Sequence, residues 1–201
     1  MLDRHTQTLL RPVLNVAALV LVRAGVSADV LTWLGFVLGL TAAAAIALHA
    51  WMAALLLLLA SRLLDGLDGA VARLTQPTDA GGFLDIALDF LFYAMIPLAF
   101  AVANPTANAL PAAVLLGSFI GTGSSFLAFA AIAARQTSGD SAHGPKAFIY
   151  STGLMEGAET IAFFILFCLF PSFFPTLAII FAALCLLTVV QRFILAAKSF
   201  R

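Results

Sequence analysis

Charge is the scarcest property of this sequence: Lys and Arg together number 10, Asp and Glu 10 and His 3 in 201 residues. Soluble domains carry about a quarter charged residues, so a chain with 10% has too little polar surface to face water on all sides. A disordered chain needs low hydropathy and high charge, and a nucleic-acid binder needs a basic face; both are excluded. Only two cysteines are present, Cys168 and Cys185, set in apolar runs without C-x-x-C spacing. That excludes a disulfide scaffold and makes them small packing residues rather than redox or metal groups. His5, His49 and His143 lie too far apart in sequence to show ligand spacing. The stretch 1–12 is polar, with no apolar core before a cleavage site, so a signal peptide is not expected.

What the chain has instead is apolar length. Apolar residues make up 63% of it, and the mean hydropathy is +1.08. A helix needs about 20 residues, rising about 1.5 Å each, to cross a bilayer. The runs 30–52, 51–61, 83–103, 110–134, 147–170 and 173–190 leave room for little else. The expected fold class is an all-α integral membrane protein with six transmembrane helices, over 29–50, 52–74, 82–103, 111–135, 146–170 and 174–198. Ser27 or Asp29 can cap the first, Thr75-Gln76-Pro77 turns the second into the third, 136–145 is a polar loop and 171–175 a tight turn. Ahead of them, an amphipathic segment interrupted by Pro12 and ended near Gly25 is too polar, with Asn15 and Arg23, to cross, and belongs at the interface. The chain thus divides into an interfacial segment, 1–24, and a six-helix transmembrane domain, 25–201.

Orientation follows from the basic residues. Arg4, Arg11, Arg23, Arg62, Arg73, Arg135, Lys146, Arg192, Lys198 and Arg201 can all be assigned to one side, while the connections near 49–51, 104–110 and 171–175 carry none. Basic residues mark the cytoplasmic side, so six spans with both termini cytoplasmic accommodate all of them. Five or seven would split the set.

Four acids fall where the chain otherwise reads as membrane helix: Asp65, Asp68, Asp85 and Asp89. A charged group at the bilayer centre costs about 2.5–3.5 kcal/mol on insertion scales, which makes an intramembrane acid a functional-site hypothesis. Asp65 and Asp68 are spaced i, i+3 and Asp85 and Asp89 i, i+4, so each pair shares a helix face. Asp65 and Asp89 are each twelve residues from Pro77, and Asp68 and Asp85 nine and eight. An antiparallel hairpin about Pro77 therefore sets the pairs opposite each other, about 12–15 Å inside the inner face by helical rise. Four such carboxylates are either partly protonated or bind divalent cations. Oxygen-only ligands favour Mg²⁺ or Mn²⁺ over Zn²⁺, and two such ions would balance four charges. Gly66, Gly69, Ala70 and Ala72, then Ala80, Gly81 and Gly82, let a backbone or ligand approach closely. Arg73 can offer its fork to a phosphate.

The run Asp65-Gly-Leu-Asp68-Gly69-Ala-Val-Ala72-Arg73, followed after seven residues by Gly81, then Asp85 and Asp89, each after three more, resembles the signature of the CDP-alcohol phosphotransferase (CDP-alcohol phosphatidyltransferase) family at all eight fixed positions. The six spans and the interfacial segment are similar too. The resemblance implies a membrane enzyme that moves the phosphatidyl group of CDP-diacylglycerol onto the hydroxyl of a small polar alcohol and releases CMP. It also implies two divalent metals, Asp65, Asp68 and Asp85 as their ligands, and Asp89 as general base with a second role at a metal. Asp68, Gly69, Ala72, Arg73 and Gly81 would bind the nucleotide. Thr32 joins them by analogy with a Pro-Asn-x-x-Thr segment, although here the run is Ala28-Asp29-Val30-Leu31-Thr32. A homodimer and a place in the bacterial inner membrane, with the active site facing the cytoplasm, are further implications.

The acceptor pocket is less distinct. Glu156 and Glu159, spaced i, i+3 at membrane depth, can hold a polyol or an ammonium group, or else pair structurally with Arg62, Arg192 or another helix. Arg135 and Lys146 are inside-facing anchors that could also meet an acceptor phosphate. Gly117, Gly121 and Gly123 with Ser118 and Ser124 suit helix packing better than a dimer seam. The Phe-rich last two helices read as lipid-facing bulk, and Asp3, Asp29, Asp79 and Asp140 as solvated or capping residues. A cation-coupled transporter would also bury acids, but no inverted repeat or broken helix is visible. A purely structural protein has no use for four facing aspartates. Within the enzyme reading the alternative is a CDP-choline or CDP-ethanolamine enzyme acting on diacylglycerol, whose relatives tend to be longer.

Overall fold

The structure, a computed structural model, describes residues 2–137 and 153–200, with side chains over 11–135 and 153–200. Seven helices appear among the described residues: α1 (Leu2–Arg23), α2 (Ala28–Ala47), α3 (Trp51–Leu74), α4 (Asp79–Ala103), α5 (Pro105–Thr137), α6 (Gly157–Leu169) and α7 (Phe174–Ser199), with one 3-10 turn, Pro171–Phe173. There is no strand among them. Four segments are long and apolar enough to cross a bilayer: Ala28–Ala47, Asp79–Ala103, Pro105–Arg135 and Pro171–Ser199. α3 has the length, at 24 residues, but its second half carries Arg62, Asp65, Asp68 and Arg73. α6 is 13 residues long, a rise of about 20 Å.

Several boundaries differ from the sequence-based expectation, each for a local reason. Pro12 does not interrupt α1. It forfeits one backbone bond, and the helix continues because Leu14, Ala18, Leu21 and Val22 pack against Leu67, Ala70 and Val71 of α3. Ser27 rather than Asp29 caps α2, its hydroxyl accepting from the Val30 amide. α4 begins at Asp79 instead of 82, because the Thr78 hydroxyl accepts from the Gly81 amide at 3.0 Å. α5 begins at Pro105 instead of 111, where the Asn104 side chain accepts from Ala107. The helix expected from 146 to 170 is, within the described residues, helical only from Gly157, since 153–156 form a turn. Most of the 136–145 loop and the residues up to 152, including Asp140 and Lys146, lie outside the described residues.

The largest correction concerns the phenylalanines of α6 and α7. Phe164, Phe167, Phe174 and Phe181 are fully buried, with Phe92 and Phe100 of α4. Phe100 stacks on Phe174, and Phe163 on Phe181, each at 4.3 Å between centroids. Inside lipid, water no longer drives helices together and close contact does, so interlocking rings are worth more in the bundle than facing acyl chains. Phe170, Phe173 and Phe193 do point outward.

α2 lies between α3 and α4 and packs on both, whereas α3 and α4 touch little. The hairpin about Pro77 is therefore not a closed pair; its helices are held apart by a third. α2 achieves this with small residues. A Cβ on Gly39 would stand 2.6 Å from the Phe92 ring, and one on Gly35 3.3 Å from the Ser61 carbonyl. The Ser61 hydroxyl also donates to the Gly35 carbonyl at 2.7 Å, which fixes the rotation of α3 just before its acidic half. A Cβ on Gly121 or Gly123 would meet Val189 or Phe90 in the same way, while one on Gly117 would point into open space.

Gly39→Ala should therefore destabilise the protein by about 1–3 kcal/mol through overpacking. Gly117→Ala, at an open helical position, should be neutral or mildly stabilising. Thermal unfolding of the two variants in detergent checks the pair.

Candidate active site

The last turns of α3 and the first turns of α4 face each other below the start of α2. Asp65, Asp68 and Asp85 each offer a carboxylate oxygen, and these three oxygens lie within 4.8 Å of one another. Asp68 is 5% exposed, and its Oδ2 is buried without a hydrogen-bond partner; Asp65 is half-buried and Asp85 exposed. A buried, unpartnered carboxylate oxygen is costly. The Asp68 carboxyl belongs to a cluster of like charge, which a cation would relieve. The donor set is oxygen only, which suits a hard divalent ion. The residues present thus fit the metal that the aspartate spacing suggested.

Asp89 is tied to this group through Arg62. Its Oδ1 accepts from Arg62 Nη1 at 2.7 Å, and the same nitrogen lies 3.4 Å from Asp65 Oδ1. Arg62 was expected only as an inside-facing charge or a partner for the glutamates, and the structure places it within the acid cluster. The signal for this was available: Arg62 is i, i+3 from Asp65 and so shares its face.

Above the acids opens a cavity of about 490 Å³, within the size range of small-ligand sites. Its walls include Thr32, Asp68, Gly69, Ala72, Gly81 and Asp85, six of the residues the sequence singled out. Arg73 is not among them. It is exposed, its Nη1 3.3 Å from where a Cβ on Gly69 would stand. The sequence reading missed Asp29, Gln76 and Thr78, which also line the cavity. A Cβ on Gly81 would lie 3.1 Å from the Thr78 hydroxyl and 3.3 Å from Asp29 Oδ1, so the absent side chain is what lets the start of α4 meet the start of α2. A second cavity, of about 10 Å³, lies among Thr32, Phe36, Arg62, Asp65, Asp85, Leu88 and Asp89, room for about one water or ion.

Glu156 and Glu159 line neither cavity. They form a reciprocal capping box at the start of α6. The Glu156 side chain accepts from the Gly153 amide at 3.0 Å, and Glu159 from the Glu156 amide at 3.2 Å. Arg192 is within electrostatic reach of Glu156 and donates to the Thr122 carbonyl at 2.7 Å. The Thr188 hydroxyl accepts from the Met155 amide, so this turn is tied to α7. Arg135 is exposed near the end of α5.

Comparisons with known proteins agree with this geometry. Residues 25–198 match the CDP-alcohol phosphatidyltransferase family. "Inner membrane protein YnjF" of Escherichia coli (strain K12) is 52% identical over 192 residues, covering 96% of this chain and 93% of that protein. A crystal structure of phosphatidylinositol phosphate synthase from Mycobacterium tuberculosis with CDP-DAG bound shares the fold, with TM-score 0.65 and 21% identity over 90% of this chain and 92% of that one. The chain belongs to the CDP-alcohol phosphatidyltransferase family and is an enzyme of membrane phospholipid synthesis.

Proposed function

We propose that the protein transfers the phosphatidyl group of CDP-diacylglycerol to the hydroxyl of a small polar alcohol and releases CMP. One observation carries this reading: three carboxylates within 4.8 Å of one another, two of which, Asp68 and Asp85, line a cavity of about 490 Å³, with a fourth carboxylate held beside them through Arg62. The CDP-DAG bound to the mycobacterial synthase supports this donor.

In this reading the cytidine end occupies the cavity between α2, α3 and α4. Gly69, Ala72 and Gly81 leave room for it, and Thr32 and Asp68 border it. Arg73, exposed at the rim, offers its fork to a phosphate. Asp65, Asp68 and Asp85 would hold two Mg²⁺ or Mn²⁺ ions, which would neutralise the charge that develops on the diphosphate. Asp89 takes the proton of the acceptor hydroxyl. The acceptor oxygen then bonds to the lipid-side phosphorus as the bond from that phosphorus to the bridging oxygen breaks, and CMP departs with that oxygen.

α2 to α7 are read as six spans with both termini cytoplasmic, α3 carrying its charges at the inner face. The name of the 52% identical relative supports an inner-membrane location, and family resemblance a homodimer. Glu156 and Glu159 serve the turn that enters α6, and we assign the acceptor pocket to neither.

Chelation with EDTA should stop CMP release, and Mg²⁺ or Mn²⁺ should restore it; activity that survives chelation ends the metal reading. Asp89→Asn should lower kcat by about 10²–10⁴-fold, the usual contribution of a general base, while binding of a CDP-lipid in Mn²⁺ persists. The acceptor is found by incubating the protein with labelled CDP-diacylglycerol, Mn²⁺ and serine, glycerol phosphate, inositol phosphate, inositol or choline, then identifying the lipid product. Turnover of CDP-choline with diacylglycerol instead would exchange donor and acceptor classes.

A further inference from the structure

A guanidinium inside a cluster of metal-ligating carboxylates competes with the cations the cluster exists to bind, so its presence calls for a function. Arg62 lies one turn before Asp65 on α3, outside the eight-residue signature, and four groups hold it. Nη1 donates to Asp89 Oδ1 at 2.7 Å and lies 3.4 Å from Asp65 Oδ1. Nη2 donates to the Ser61 hydroxyl at 3.2 Å, and that hydroxyl is itself tied to the Gly35 carbonyl. Cζ sits 4.0 Å over the centroid of the fully buried Phe92 ring. The side chain is 13% exposed. An arginine pinned between two helices and an aromatic face has little freedom to follow a carboxylate; the carboxylate must come to it.

We propose that Arg62 is the positioning residue for Asp89. By binding Asp89 Oδ1 with the same nitrogen that faces Asp65 Oδ1, it fixes that carboxylate at the wall of the water-sized cavity and orients one proton acceptor beside the metal-ligating group. The inference rests on the reading of Asp89 as base. The position suits arginine better than lysine. A guanidinium's planar fork reaches Asp89 and Ser61 at once while its face lies on Phe92, and an ammonium on a flexible stem cannot do all three. Without Arg62, Asp89 loses this anchor and is free to turn wholly onto the cations the cluster would bind. The cluster then binds metal at least as well and loses the group aimed at the acceptor.

The test uses purified full-length protein and four variants, R62M, R62K, D89N and the double variant R62M/D89N. The measurements are kcat, KM for CDP-diacylglycerol, and Mn²⁺ binding without substrate by titration calorimetry or electron paramagnetic resonance. R62M should lose about 10²-fold in kcat, the scale expected for a misplaced reacting group, with little change in donor KM and Mn²⁺ binding equal or tighter. R62K should lie between R62M and the parent. In the residual activity of D89N, R62M should cost nothing further, since the two residues act as one unit. A parent-like kcat in R62M, an equal cost of R62M with and without Asp89, or loss of Mn²⁺ binding in R62M overturns the proposal. A parent-like kcat in D89N overturns the base assignment instead, which keeps the two failures distinct. If R62M does not fold, R62K decides: a reduced kcat at unchanged donor KM and Mn²⁺ binding supports the role, and a parent-like kcat refutes it.

Discussion

Four carboxylates stand close together on α3 and α4 and repel one another, and one of them, Asp68, is almost shut off from water. That repulsion organises the rest of the molecule. The acids stand on two helices that α2 keeps from closing, three of them arranged with one oxygen each within 4.8 Å. One buried oxygen, Asp68 Oδ2, has no partner. Partial relief comes from within the chain, since Arg62 neutralises the Asp89 end of the cluster. In the proposed function the remainder comes from outside, from hard cations that the diphosphate of the proposed donor would share.

The scaffold is built to sustain this open geometry. Two close-packed helices would bury the acids against each other, and fully separate ones would disperse them. α2 sets the spacing because Gly35 and Gly39 let it approach Ser61 and Phe92 without a side chain in the way. Phe92 serves two purposes. One ring is fully buried in the aromatic core, and it also underlies the Arg62 guanidinium. Packing in the aromatic core is in this way continuous with the electrostatics of the site. The capping hydroxyls of Ser27 and Thr78 start α2 and α4 beside the same cavity, so its walls are the beginnings of helices, where backbone amides face outward and favour anionic ligands.

Residues whose meaning is local could be read without coordinates. The i, i+3 and i, i+4 spacing of the aspartates already put each pair on one helix face, and the turn at Pro77 already set them at matching depths. The small residues between them, together with the order of acid, glycine, alanine and arginine, carried the family resemblance. The scarcity of charge and the long apolar runs established an all-helical membrane protein, because lipid leaves backbone amides no other partner than their own helix.

Contacts between distant segments were not legible in this way. Whether a phenylalanine of α6 or α7 faces lipid or a neighbouring ring depends on which helix stands beside it, and hydropathy is the same in either case. Glu156 and Glu159 were legible as an i, i+3 pair, but not as the reciprocal cap that they form where the backbone enters the helix at Gly157. Pro12 resembled a break until the face of α1 beyond it found α3. Arg62 could be counted among the inside-facing charges, but its guanidinium reaches Asp89, 27 positions away, only because α2 sets the rotation of α3 and the gap to α4. Periodicity along the chain states which residues share a helix face, and the packing of the helices decides what that face meets.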